Sequence, residues 1–214
     1  MELISNLANK YAHLITSDED DILAEINNST NSYHTQAHML SGKIQGKFLQ
    51  FISHLKQPKF VLDIGTFTGY SAICLTAGLQ KDGLVHTIEL RNEDAETAQQ
   101  YFIKSNKQNQ INLHIGNALE IIPLLNFKWD LIFIDADKTA YIEYYEMLIP
   151  LLNNNGILIA DNVLFHGLVL DEVIKNKSAK AIKDFNKHVA QDNRTEQVLL
   201  TIRDGLLLIR KKTK

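Results

Sequence analysis

Two aspartates, an asparagine and a lysine carry the clearest chemical signal in the chain: Asp135, Lys138 and the adjacent pair Asp161 and Asn162. Two carboxylates and one amide oxygen make a hard donor set suited to Mg2+, with Mn2+ or Ca2+ as alternatives, and waters or substrate oxygens would fill the other positions. Lys138 follows Asp135 by three residues and could face the same pocket, where a nearby cation would lower its proton affinity enough for proton abstraction. The plainer readings are that both acids cap the turns or helices after them and that Lys138 is a solvated surface lysine. Glu89 ends an apolar run and is placed to accept hydrogen bonds from a ribose diol; its alternative is an exposed loop acid.

The stretch from Phe60 to Ser71, FVLDIGTFTGYS, carries a different signal. An apolar run ends in an acid, and Gly65 and Gly69 mark a tight turn whose backbone must pass close to something. A helix from Tyr70 to Leu79 then offers unpaired amides to an anion or polar ligand group. Such a corner also serves dinucleotides, and sometimes only packing.

These residues need a scaffold that brings distant strand ends together. From Phe60 onward, apolar runs alternate with helical patterns. Strands are expected at 84–90, 111–115, 129–134 and 156–160, and helices at 70–79, 94–106, 118–125, 141–152 and 178–189. The compact runs at 129–134 and 156–160 suit strands buried on both faces of a parallel sheet. Near the C-terminus, Asp204-Gly205 between QVLLTI and LLLIRK is a hairpin signal. The expected fold is an α/β, Rossmann-like, doubly wound, mostly parallel seven-stranded sheet with an antiparallel C-terminal hairpin. Ligands collect beyond the carboxyl ends of strands in such a sheet, which is where Glu89, Asp135 and Asp161 fall.

Residues 1–55 read as a helical extension of the same domain. Its expected apolar face comprises Leu3, Leu7, Tyr11, Leu14, Ile22, Leu23 and Ile26. Residues 27–45 are polar and read as a linker or as a loop that closes over the site. The 214 residues fit one domain. With 45% hydrophobic and 22% charged residues, they are globular in composition. The net charge of −3 supplies no global field for a polyanion, although the tail Arg210, Lys211, Lys212, Lys214 could assist one. The single cysteine, Cys74, excludes an intrachain disulfide, and the opening residues lack an export pattern, so the cytoplasm is the expected setting, with no membrane partner.

Taken together, SGKIQGKFL, VLDIGTFTGYSAI, HTIEL, GNALE, FIDADKTAYIEYY, LIADNVLFHG, KDFN and DGLLLIRK resemble the cation-dependent, S-adenosylmethionine (SAM)-dependent O-methyltransferases, the catechol and caffeoyl-CoA group with its bacterial branch. The resemblance runs from about Gly42 to Lys211. It implies that the cofactor's methionine part lies over Gly65, Thr66, Phe67 and Ser71, with Ser71 at its carboxylate. It also implies ribose on Glu89, adenine near Asn117 and Ala118, and Met39 and Ser41 as lid positions near the sulfonium. The chain reads GNA where many bacterial members have GDA. By the same resemblance Asp135, Asp161 and Asn162 hold the cation, with Asp135 also at the cofactor, and Lys138 abstracts the proton. Phe165 stands where plant members often have tryptophan and would wall the acceptor, and Asn186 would line the pocket. A homodimer is implied.

The chain lacks the long aromatic insertion of many plant acyl-CoA enzymes, which favours a small catechol-like acceptor, with 5-hydroxyuridine in tRNA as the alternative. A noncatalytic SAM-binding protein and a nicotinamide-dependent oxidoreductase are the readings outside the class. The acid, amide and lysine set argues against the first, and GTFTG in place of GxGxxG against the second.

Overall fold

A computed structural model describes residues 4–212. Leu3 and Lys214, named above, lie outside them. One seven-stranded sheet organises the chain in the order β3-β2-β1-β4-β5-β7-β6. Its strands are β1 (Phe60–Ile64), β2 (Leu84–Glu89), β3 (Ile111–Ile115), β4 (Trp129–Ile134), β5 (Leu152–Asp161), β6 (Thr195–Leu200) and β7 (Leu206–Lys211). The first five are parallel, while β7 runs antiparallel to both β5 and β6. This is the expected Rossmann-like sheet with its hairpin.

Both faces of the central strands are buried, and alternate residues serve opposite layers. Val61, Leu131 and Phe133 pack with α2 (Asp21–Tyr33), α3 (Gly42–Lys56), α4 (Tyr70–Leu75) and α5 (Asn92–Lys104) through Leu23, Ile26, Leu49, Ile73 and Phe102. Leu62, Ile132 and Ile134 pack the other way, with Tyr141, Tyr145, Ile182 and Phe185 of α7 (Tyr141–Leu148) and α8 (Lys177–Gln191). Each such fully buried side chain contributes about 1.5–3 kcal/mol relative to exposure. Asp63 falls on the first face and is fully buried there.

Several boundaries differ from expectation. The Asn- and Ser-rich stretch after Ile26 remains helical to Tyr33, because Leu23 and Ile26 are buried and Thr30 bonds Thr68 at 3.1 Å. Packing outweighs the weak helix propensity of those residues. The expected long loop therefore shrinks to residues 34–41, which include a 3-10 turn at Ala37–Met39. The helix at 70–79 ends at Leu75 and tightens into a 3-10 turn, where a Cβ on Gly78 would sit 2.1 Å from the Ser53 carbonyl oxygen. Pro150 converts the end of the expected 141–152 helix to a 3-10 turn, and β5 starts at Leu152, earlier than expected. The first helix, α1 (Asn6–Ile15), buries no residue: Leu7, Tyr11 and Leu14 are exposed instead of facing the core. No helix among the described residues is long and apolar enough to cross a membrane.

Candidate active site

A cavity of about 650 Å³ opens at the carboxyl ends of β1, β2, β4 and β5. Its floor on one side is the glycine turn. The amides of Gly65 and Thr66 both donate to the Ile88 carbonyl, at 3.0 and 3.2 Å, folding the turn over β2. Gly65 has φ +104°, and a Cβ there would meet the Asp135 carbonyl oxygen at 2.0 Å, so only glycine lets β1 and β4 end this close together. Gly69 has φ +89° and abuts Phe102. Phe67, with φ 49°, donates its amide to Glu89 Oε2 at 2.7 Å. Glu89 is thus a buried acid facing the cavity, and its Oε1 accepts the Arg91 amide at 3.0 Å.

Beneath the turn lies a polar network absent from the sequence reading. Asp63 accepts from Thr87 Oγ1 at 2.6 Å and Ser71 Oγ at 3.2 Å, and Thr87 bonds Thr66 at 2.6 Å. Burial raises the Asp63 carboxyl to about 7; the Thr87 and Ser71 hydrogen bonds oppose the rise, and Asp135 and Glu89 add to it. Ser71 and Thr66 therefore stiffen the turn from below and do not line the cavity. Asn117 and Ala118 do line it, but Asn117 Oδ1 accepts the Leu119 amide at 3.0 Å as the N-cap of α6 (Ala118–Ile121).

Across the cavity, Lys138 Nζ donates to Asp135 Oδ1 at 2.7 Å and to Tyr141 Oη at 3.0 Å. The Tyr141 hydroxyl lies within 3.2 Å of the Ile134 carbonyl oxygen and 3.1 Å of that of Asp161, joining the ends of β4 and β5. Burial by itself would lower the proton affinity of Lys138, but Asp135, Tyr141 and Asp161 outweigh it and hold the ammonium above the ordinary lysine range. That direction is opposite to the one an amine base needs.

Asp161 is buried and does not line the cavity. Its Oδ2 accepts from Gln45 Nε2 at 2.6 Å and its Oδ1 from the Asn162 amide at 2.6 Å. Burial, then the charge of Asp135, raises the Asp161 carboxyl, against Lys138, Gln45 and Arg203, which lower it. Asn162, with φ 58°, does line the cavity. Among the described residues, no three His, Cys, Asp or Glu side chains cluster as a metal centre; the oxygen set at this end is two acids and an amide.

The remaining wall is the turn after β5. Phe165 and His166 have φ 44° and 56°, and the segment is tied to the β6–β7 hairpin by Val163 and Leu164 amides donating to the carbonyls of Gly205 and Asp204 at 3.1 and 2.9 Å. Asn186 Nδ2 braces this turn by donating to the Val163 carbonyl at 2.7 Å, and Asn186 itself stays outside the cavity lining. Phe165 and Tyr144 present aromatic surface to the cavity. Residues 34–41 cover the opposite side: Gln36, His38 and Met39 line the cavity, and Ser41 is buried behind them. His34 anchors the segment by bonding Asp94 at 3.0 Å and standing edge-on to Phe67 at 4.6 Å.

The O-methyltransferase family model matches residues 13–212. The chain belongs to the O-methyltransferase family. It is similar to the catechol O-methyltransferase of Niastella koreensis, 33% identical over 186 residues, covering 85% of this chain and 84% of that one. Among solved structures, the SAH-bound methyltransferase of Podospora anserina matches with TM-score 0.90 and 26% identity, covering 97% of this chain and 95% of that one. The SAH-bound O-methyltransferase of Bacillus cereus matches with TM-score 0.86 and 27% identity, covering 96% and 97%. The protein is a SAM-dependent O-methyltransferase.

In this O-methyltransferase the fold brings Met39, Gly65, Phe67, Glu89, Asn117, Ala118, Asp135, Lys138, Asn162 and Phe165 to one cavity, and leaves Ser41, Thr66, Ser71, Asp161 and Asn186 behind its walls. The sequence reading missed Gln45, Asp63, Tyr141 and Arg203. Only Asp63 had a signal, as the acid opening the DIG turn. The others become visible through contacts between residues distant in sequence.

Proposed function

We propose that this enzyme transfers the SAM methyl group to one hydroxyl of a small catechol-like acceptor, with a divalent cation, Mg2+ first and Mn2+ or Ca2+ as substitutes, held by Asp135, Asp161 and Asn162. The observation that carries this reading is the meeting in one cavity of the glycine turn and Glu89 with Asp135, Lys138 and Asn162. The donor set fits such an ion. Asp135 lies close enough to raise Asp161; Lys138 and, more weakly, Arg203 offset that repulsion without removing it, and a bound cation would relieve it further. When bound, the cation supplies Lewis-acid stabilisation of an acceptor oxyanion.

The protein's own groups do the rest. Glu89 is positioned to accept from the ribose hydroxyls, and the glycine turn backs the methionine end. Asp135 stands between cofactor and acceptor, so one residue fixes both reactants, and alignment of nucleophile, methyl and sulfur supplies much of the rate. Lys138 stabilises negative charge on the acceptor oxygen as an ammonium. With the charges of Asp135 and Asp161 balanced, the burial that opposes its charge would weigh more heavily and lower the proton affinity of Lys138.

Phe165 and Tyr144 form the aromatic wall for a flat acceptor, and residues 34–41 act as the lid that excludes water. The name of the Niastella koreensis relative supports the catechol class. For the competing tRNA reading, Arg91, Lys138 and Arg203 are interspersed with Glu89, Asp135, Asp137 and Asp204, so the cavity lining lacks the contiguous positive field that a polyanion favours. The lone buried Cys74 fits a cytoplasmic setting. The exposed apolar side chains Leu7, Tyr11 and Leu14 of α1 and Phe51 and Leu55 of α3 support a homodimer built on these helices. Asp161→Ala tests the cation assignment: metal-stimulated transfer is expected to vanish while SAH binding persists. Wild-type transfer unchanged by chelator overturns the assignment.

A further inference from the structure

Gln45 is fully buried at the start of α3, 116 residues in sequence from the acid it touches. Its amide has opposite chemistry at its two ends, and both ends are matched. Nε2 donates to Asp161 Oδ2 at 2.6 Å and to Ser41 Oγ at 3.3 Å, while Oε1 accepts from Arg203 Nη1 at 3.3 Å. Arg203 Nη1 also donates to the Ser41 carbonyl. A flipped amide would set oxygen against carboxylate and NH2 against guanidinium, so its neighbours permit one orientation only. Arg203 holds that orientation from the β6–β7 turn with a backbone φ of 49°, a conformation that a non-glycine residue adopts at some cost. The remaining strong contact of the carboxylate, from the Asn162 amide to Oδ1, is local and fixes only one oxygen.

We propose that Gln45 is a positioning residue for the cation site: clamped by Arg203, its amide N–H sets the rotation of the Asp161 carboxylate and thereby the affinity of the site for a divalent ion. The inference rests on the assignment of Asp135, Asp161 and Asn162 as ligands and adds a residue from a different part of the chain. Partners of this kind orient ligating carboxylates, and their loss typically weakens metal binding by about 10–100-fold. Because Gln45 follows the lid segment directly, the same amide ties the cofactor's cover to the acceptor's side of the cavity.

The test is Mn2+ binding to full-length enzyme, measured by electron paramagnetic resonance, with SAH affinity by calorimetry and thermal unfolding run in parallel. Gln45→Met keeps the shape and removes both donor and acceptor; it is expected to weaken Mn2+ binding by about 10–100-fold and to leave SAH affinity within about threefold of wild type. Arg203→Lys keeps the positive charge near Asp161 but gives up the guanidinium fork that holds the Gln45 carbonyl, and a smaller loss of Mn2+ affinity in the same direction is expected. This second variant carries the test if Gln45→Met does not fold. Wild-type Mn2+ affinity in whichever variant folds overturns the role of Gln45 and leaves the cation assignment standing. Absence of Mn2+ binding to the wild-type enzyme overturns both.

Discussion

Replacing Gly65 with alanine probes the contact on which the two halves of the site depend. The residue has φ +104°, and the added carbon would lie 2.0 Å from the carbonyl oxygen and 2.8 Å from the carbonyl carbon of Asp135. Both obstacles are main chain. That main chain is pinned, because the Asp135 amide donates to the Ile64 carbonyl at 2.8 Å. Relief to an ordinary contact of ~3.4 Å requires the turn and Asp135 to separate by about 1.4 Å, in addition to about 1–3 kcal/mol of backbone strain. A displacement of that size at a positioning contact costs about 100-fold, and here it moves the glycine turn away from Asp135, the residue proposed to face both reactants. The expected outcome is therefore a loss of about two orders of magnitude in kcat/KM, with weaker SAH binding by calorimetry and a lower Tm. Gly42→Ala is the control: its φ is +74° but nothing lies within 4 Å of the added carbon, so it should lower Tm without weakening SAH binding. Gly65→Ala enzyme with SAH affinity and turnover within about threefold of wild type would refute the close approach.

Lys138→Met removes the partner that Asp135 contacts at 2.7 Å; turnover should fall by about 10²–10⁴-fold with SAH affinity little changed, and turnover within a few-fold of wild type would remove Lys138 from the chemistry. Away from the site, the His86 ring lies parallel to that of His114 and hydrogen-bonds it at 3.0 Å, and burial with the neighbouring His114 lowers His86 from 6.5 to about 4. Between those values the unfolded chain binds the proton and the folded one does not, so stability is present above pH 6.5 and is lost as pH falls toward 4, by at most about 1.4 kcal/mol per pH unit. Urea midpoints at pH 7.5 and 5.0 should therefore fall less in His86→Phe than in wild type; parallel shifts would contradict a buried neutral His86.

The sheet was legible because its signals are local: continuous apolar runs for β1 and β4, an Asp-Gly turn for the hairpin, and glycines where the chain must turn tightly. Acids at strand ends were legible for the same reason, since topology alone sends Glu89, Asp135 and Asp161 to one side. What escaped depended on contacts across the fold. Asn- and Ser-rich residues up to Tyr33 stay helical because Leu23, Ile26 and Thr30 are held by the core. Ser71 and Thr66 look like ligand groups in sequence yet turn toward Asp63 and Thr87, because a buried acid must find donors. Asp161 faces Gln45, a partner no spacing rule could supply.

The measurement closest to the central claim is transfer of a labelled methyl group from SAM, comparing small catechols with hypomodified tRNA, each with Mg2+ and with chelator. Label on one hydroxyl of a catechol, dependent on Mg2+, is the expected result. Label appearing only in RNA, or on catechol equally with chelator, would contradict it.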